Sequence, residues 1–444
     1  MIRRSPEETD GRTMNTYKSE KPDAGGEPKK ERLLTKDYTV VMLSSGCINF
    51  FNNACIAAMP LYMMFLTGRA FFSGLIMSAY SLTALAVRPA AGVLCDKFGR
   101  VRLLVAGAFL CALSCAGFGF TTAIAFIIAL RLTGGVGFGF QSTCAGAVAA
   151  DVVPKSRLAE GIGYYSLNST VGQILAPAIA LFIIAGGTIE DYKNLFFICA
   201  GITFAAGIFG SLITYERKQK MQKDVRAGLY DENPDEKTDL ISEPFLEPPP
   251  SKTVLGFEYG VFAPAAVMIL LYFGFSSVFT FLTVFADWKG FGNSGLFYTF
   301  SAVGVLASRL VVGKIVDKRG SDIIVIPFLA LLTVCMSILP LVRSMAQLSV
   351  LAVPIGLAQG AILPAMNSMM FRRCSPARRG TASGAFFASI DLGFAVSTPI
   401  LGVISDATDI RFAFWVSAVW IAVSLLVYIL ICTDKRYYEK KARR

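Results

Sequence analysis

Two ionisable residues stand where the surrounding sequence would exclude charge. Asp391 lies within TASGAFFASIDLGFAVSTPILG, and Arg131 opens RLTGGVGFGFQ, each with apolar residues for several turns on both sides. A guanidinium or a carboxylate at the centre of a membrane span costs about 2.5 to 3.5 kcal/mol on insertion scales, so something must compensate each. A carboxyl in that setting can hold or release a proton according to whether water reaches it, and so can tie proton movement to a change of shape. Asp391 and Arg131 are therefore the candidates for proton coupling. The structural alternatives are an aspartate that stays protonated or paired with an arginine, and a guanidinium held by a helix-end carbonyl.

Uncharged polar groups in other apolar stretches form a second set. Asn52 and Asn53 sit in INFFNNACIAAMPLYMMFL, Gln141 closes the glycine-rich run after Arg131, and Tyr165 and Asn168 follow in GYYSLNSTVGQILAPAIA. Ser277, Gln359 and Asn367 supply equivalents later in the chain. At bilayer depth such groups need a partner or water, so they either line a substrate-binding cavity or bond helix to helix.

Several chemistries are excluded. The chain has no histidine, which removes imidazole catalysis, His proton relays and His metal sites together. Its ten cysteines are scattered, with Cys111 and Cys115 at i, i+4 on one helix face, so they read as packing residues without a disulfide framework, a metal or a cofactor. The glycines after Arg131 have no strand before them and read as packing glycines, not a phosphate cradle. No Walker loop is present, and Asp391 lacks a second catalytic group, so neither ATP drive nor enzymatic activity is expected.

The elements that must position these residues are membrane helices. With 444 residues, 54% apolar and 16% charged, and a mean hydropathy of +0.57, the chain reads as an all-α polytopic membrane protein. Twelve apolar segments fall near 38–66, 71–94, 102–121, 123–150, 158–186, 192–215, 258–287, 294–313, 321–342, 346–371, 379–405 and 411–433, each about the 20 residues needed to span roughly 30 Å of hydrocarbon, or longer. The net charge of +11 raises the question of nucleic acid. With both termini in the cytoplasm, however, the outer loops hold only Arg69, Lys193, Lys289, Arg343 and Arg411 among the cations, a positive-inside distribution that explains the charge without a nucleic-acid partner. The basic end, 434–444, should lie against anionic headgroups.

A repeat divides the chain. GVLCDKFGRVRLL, from Gly92 to Leu104, returns in shortened form as GKIVDKRG at Gly313 to Gly320. Asp96 and Asp317, Gly99 and Gly320, and Arg88 and Arg309 are each 221 positions apart, while Pro154 and Pro376, Arg157 and Arg379, and Pro177 and Pro399 are each 222 apart. Near-constant spacing over that length marks duplication. Within the loop, Gly92 permits close helix approach and Gly99 suits a left-handed turn; Asp96 can cap a helix or pair with Arg100, and the cations hold the loop on the cytoplasmic side. Gly92, Asp96, Gly99, Arg100 and Asp317 are the candidate gating residues. Arg88 and Arg309, a turn above each loop, read as snorkelling to inner headgroups. Asp391 has Ser169 at the matching place in the first half, so the carboxyl belongs to one half only.

The expected organisation is a disordered cytoplasmic tail, 1–37; a six-helix bundle, 38–215; a cytoplasmic linker, 216–257, with nine acidic residues and the Pro248 to Pro250 run; a second six-helix bundle, 258–433; and the basic tail. Six helices precede the linker, so the halves are parallel copies.

The pattern Gly92, Leu94, Asp96, Lys97, Gly99, Arg100 resembles the signature loop of the major facilitator superfamily between helices 2 and 3, and the resemblance covers about 38–433. Arg131, Gly135 and Gly137 resemble that family's helix 4 motif, linked there to proton transfer, with Gly134 where a glutamine is usual. Gly172, Ala176, Pro177 and Ala180 are similar to its helix 5 antiporter motif, with alanines replacing glycines. FFASIDLG, together with Arg88 and Arg309, looks most like bacterial exporters of the drug:proton antiporter branch and their sugar-efflux-like or metallophore-exporting relatives. The resemblance implies two pseudo-symmetric six-helix bundles rocking about a central cavity, and a monomeric, proton-coupled exporter in the inner (cytoplasmic) membrane. Helix 1 lacks the acid that many cation-drug exporters carry, so neutral or anionic organic substrates fit better. Import by proton symport is the alternative within that class. A non-transporting membrane receptor is the alternative outside it, although the tail and linker show no sign of a folded cytosolic domain.

Overall fold

The computed structural model describes residues 34–154, 157–216, 253–254, 257–292, 294–374 and 379–433. The tail up to residue 33, most of the linker and the basic end, for which disorder or headgroup contact is expected, lie outside the described residues. So do the side-chain surroundings of Gly92, Asp96 and Asp317.

Among the described residues there are twelve α-helices: α1 (Lys36–Thr67), α2 (Ala70–Phe98), α3 (Arg100–Phe120), α4 (Ile124–Val152), α5 (Leu158–Ile183), α6 (Ile189–Ser211), α7 (Phe262–Trp288), α8 (Gly295–Arg319), α9 (Asp322–Ile338), α10 (Met345–Arg372), α11 (Arg379–Ala407) and α12 (Ile410–Val427). The strand content described is one antiparallel pair, Thr253–Val254 with Phe257–Glu258, just before α7. Ten helical stretches are long and apolar enough to cross a membrane. The expectation of twelve equal spans is corrected at α5, whose apolar stretch is confined to Asn168–Ile183, and at α8, where Thr299, Ser301, Ser308 and Arg309 dilute the hydropathy.

Local chemistry sets the helix ends. Thr35 caps α1 by accepting the Tyr38 N–H, and Thr188 and Asp191 form a reciprocal capping box at α6. The two copies of the repeated loop end their helices alike: Gly99 has φ +94° and Gly320 φ +84°, a region that disfavours any side chain.

Helices α1 to α6 pack chiefly on one another through the α3–α4, α3–α6, α1–α5 and α2–α4 contacts, and α7 to α12 do so through α8–α10, α7–α11 and α7–α12. The sets meet along α2 and α11, α5 and α8, and α1 and α7. Phe51, Phe118 and Phe196 in the first set and Phe281, Phe285 and Phe414 in the second are fully buried. Phe120, Phe182, Val350 and Val419 face outward, as suits helices solvated by acyl chains.

Glycines permit the closest approaches. A Cβ on Gly137 would lie 2.6 Å from the Gly107 carbonyl, so the run after Arg131 does pack α4 on α3. Cys95 of α2 and Cys144 of α4 are placed as a disulfide-bonded pair, which corrects the expectation of free cysteines throughout; the pressing together of α2 and α4 brings them into reach.

A Cβ on Gly356 of α10 would run into the Ser301 carbonyl of α8, and backbone cannot step aside as a flexible side chain can. Gly356→Ala is expected to destabilise the protein by about 1 to 3 kcal/mol. Gly201→Ala, with open space around the added methyl, should be neutral or stabilising by up to about 1 kcal/mol. Unfolding of both variants in detergent checks the contrast.

Candidate functional site

The α2–α11 seam carries the site. Positions 391, 395, 398, 402 and 406 recur every three or four residues and therefore share one face of α11, while 70, 74, 78 and 88 lie along the opposing face of α2. The helices are antiparallel, so the two rows meet in reverse order. Asp406 accepts the backbone N–H groups of Ala70 at 2.6 Å and Phe71 at 3.0 Å, supplying a cap that α2 lacks from its own side chains. The Thr398 hydroxyl donates to the Gly74 carbonyl at 2.8 Å and the Ser78 hydroxyl to the Ala395 carbonyl at 2.5 Å. At the far end Arg88 Nε donates to Asp391 Oδ2 at 2.7 Å, with the two side chains 15% and 13% exposed. The Arg88 guanidinium also lies 5.2 Å from the Phe387 ring centroid.

This geometry corrects the reading of Arg88 as a snorkelling residue: it turns toward α11 and neutralises Asp391, which is therefore not a lone acid. The pair joins residues 303 positions apart. The one sequence signal for it was an arginine followed by proline in an apolar run.

Arg131 is separate from that pair. It is fully buried, its guanidinium sits 4.0 Å from the Tyr80 ring centroid, and Nη2 reaches the Met77 sulfur at 3.8 Å. Tyr80 in turn donates its hydroxyl to Asn52 Oδ1 at 2.8 Å. The expected helix-end carbonyl is not its partner; an aromatic face and sulfur take that place.

The polar residues expected to line a cavity are dispersed. Asn53 donates to the Asn49 carbonyl of its own helix and Ser277 to the Gly274 carbonyl. Asn168 donates to the Met42 carbonyl, bonding α5 to α1, and Tyr165 bonds to Ser45. Gln141 is buried with its Nε2 unpartnered, and Asn367 Oδ1 on α10 has no hydrogen bond. Gln359 alone of the set lines the described cavity, which lies between α5, α7, α8 and α10 and encloses about 350 Å³ including its open mouth. Its other polar groups are Gln173, Ser301 and Tyr298, whose buried hydroxyl has no partner; Phe275, Phe279 and Phe297 contribute aromatic walls. No charged residue lines it.

At the repeated loop Arg100 Nη1 pairs with Asp151 of α4 at 2.5 Å, so its described carboxylate partner is Asp151 and not the Asp96 expected from the loop alone. Glu216 accepts the N–H groups of Arg100 at 2.6 Å and Val101 at 3.2 Å, capping α3 from a position assigned to the linker. Tyr215 donates to Asp151 at 3.1 Å, and burial together with the adjacent carboxylate pushes its phenol above the usual range.

Comparison with known proteins places this architecture. Its fold matches the nucleoside transporter NupG, with a TM-score of 0.68 at 11% identity over 90% of this chain and 100% of that one. A bacterial homologue of the human lysosomal transporter Spinster, in an inward-facing and occupied conformation, gives a TM-score of 0.70 at 14% identity over 89% and 96%. In sequence the chain is 24% identical to the staphylopine export protein of Staphylococcus aureus over 80% of this chain and 86% of that protein. It is 27% identical to the multidrug resistance protein MdtG of Yersinia enterocolitica over 84% and 86%. The profile of the Major Facilitator Superfamily matches residues 41–349 and 328–444. Loop repeat, helix count and profile agree, and the chain belongs to the Major Facilitator Superfamily as a multi-pass secondary transporter.

Proposed function

We propose that the chain is a proton-coupled antiporter that exports a small neutral or anionic organic molecule by alternating access, as a monomer in the cytoplasmic membrane with both termini in the cytoplasm. The observation that carries this reading is the Arg88–Asp391 pair, at 2.7 Å across the α2–α11 seam. An ion pair in a low-dielectric seam is strong only while both partners are charged. Protonation of Asp391 removes the attraction and leaves Arg88 seeking another anion or water, which loosens α2 from α11; deprotonation restores it. A proton thus has different affinities for the joined and parted arrangements, the condition for driving one into the other.

With the termini inside, the Asp406 cap lies at the outer end of the seam, so the described arrangement is closed outward. The loops that carry Gly92, Asp96, Gly99, Arg100 and Asp317 lie at the inner end and serve as the opposing gate. The cavity at Gln173, Tyr298 and Gln359 offers hydrogen bonds and aromatic faces without charge, which favours the neutral members of the substrate class. Export is supported by the relatives named for export and for drug resistance.

In proteoliposomes loaded with a pH-sensitive dye, a panel of neutral and anionic aromatic compounds should elicit proton movement with the wild type and none with Asp391→Asn, ligand binding being retained. Unchanged proton movement in the variant refutes the coupling role. The pair itself is tested by a double-mutant cycle read by unfolding in detergent. Arg88→Met or Asp391→Leu alone is expected to cost about 3 to 5 kcal/mol, while the double variant regains most of the loss.

A further inference from the structure

Arg131 leaves an electrostatic deficit that the seam does not fill. A guanidinium stays charged at any physiological pH. This one is 0% exposed, and its Nε and Nη1 have no acceptor aligned with them. Tyr80's ring face and the Met77 thioether contribute partial charge, but neither is an anion. A fully buried cation without a counter-ion is strongly disfavoured.

The groups facing this point from each packed helix are few: Cys55 from α1, Tyr80 from α2, Cys111 and Cys115 from α3, and Cys199 from α6. No carboxylate is among them. The Cys55 sulfur lies alongside Arg131 and is hydrogen-bonded with Cys115 and Cys199. Tyr80 already donates its proton to Asn52, leaving its ring, not its oxygen, toward the guanidinium. Cys55 is thus the neighbour able to supply a full negative charge at contact. Two thiols beside it can donate S–H hydrogen bonds to a thiolate, much as hydroxyls solvate an alkoxide. Among the described residues no group of three or more Cys, Asp or Glu side chains has the arrangement to hold a metal ion, so the cluster is not a metal site.

We infer that Cys55 is ionised and forms with Arg131 a buried thiolate–guanidinium pair, solvated by the Cys115 and Cys199 thiols, giving the first six helices a proton-accepting group of their own. Its proton has gone to water, and no redox step is involved. The pair is distinct from Arg88–Asp391 and stands whether or not that pair couples transport.

The test counts S–H bonds in the full-length protein by the infrared S–H stretch in detergent. Cys55→Ala should remove no S–H intensity, because the wild-type sulfur carries no hydrogen, whereas Cys115→Ala should remove one equivalent. Arg131→Met should add one equivalent as Cys55 recovers its proton. Loss of one equivalent in Cys55→Ala overturns the inference. Should Arg131→Met fail to fold, thermal unfolding of Cys55 variants decides: Cys55→Asp, which keeps an anion, should hold the wild-type midpoint better than Cys55→Ala. Equal or reversed midpoints overturn it.

Discussion

A charge that leaves water must find its opposite, and the Arg88–Asp391 contact shows how much structure that requirement commands. To bring Nε within 2.7 Å of the carboxylate, two helices from opposite halves must lie antiparallel in one register. The rest of their interface consists of groups small enough to allow it: Gly74, Ser78, Ala395, Thr398 and Gly402. Two short hydroxyl-to-carbonyl bonds reinforce that register between the ion pair and the Asp406 cap. A slip of one turn along α2 would unpair the ions, strand both hydroxyls and uncap the helix together. That shared dependence makes the seam a two-position element, suited to a switch.

The other buried cation follows different rules. Arg88 meets a carboxylate near the meeting of the halves, where motion can separate the two. Arg131 sits wholly inside the first six helices, under an aromatic ring and among sulfur atoms. Soft, polarisable neighbours suit a delocalised guanidinium better than they would an ammonium, so lysine at 131 would not be an equivalent residue. One cation is placed to be released and the other to be kept.

The helices, the duplication and the two conspicuous charges were legible in the sequence because each is local: an apolar run, a repeated loop, an ionisable residue in the wrong company. Partners were not. Asp391 and Arg131 could each be recognised alone, but nothing in 303 positions of chain says that Arg88 reaches Asp391. The asparagines illustrate the same limit, since Asn53 satisfies itself within one turn while Asn168 crosses to α1. Gln359 gains meaning only when Gln173 and Tyr298 converge on it from other helices. Glu216 looked like the first residue of an acidic linker, because composition cannot reveal that its carboxylate caps α3. The Cys95–Cys144 proximity was hidden for the same reason.

The first amides of α2 owe their acceptor to a residue in the other half of the chain. When Asp406 withdraws, those N–H groups cannot turn to acyl chains, which offer no acceptor, and must be hydrated. Parting at this end is therefore inseparable from the entry of water between the helices. Solutes that lower water activity without entering the crevice should hold the molecule in the arrangement described, so osmotic stress acts on this transporter as a conformational variable in its own right.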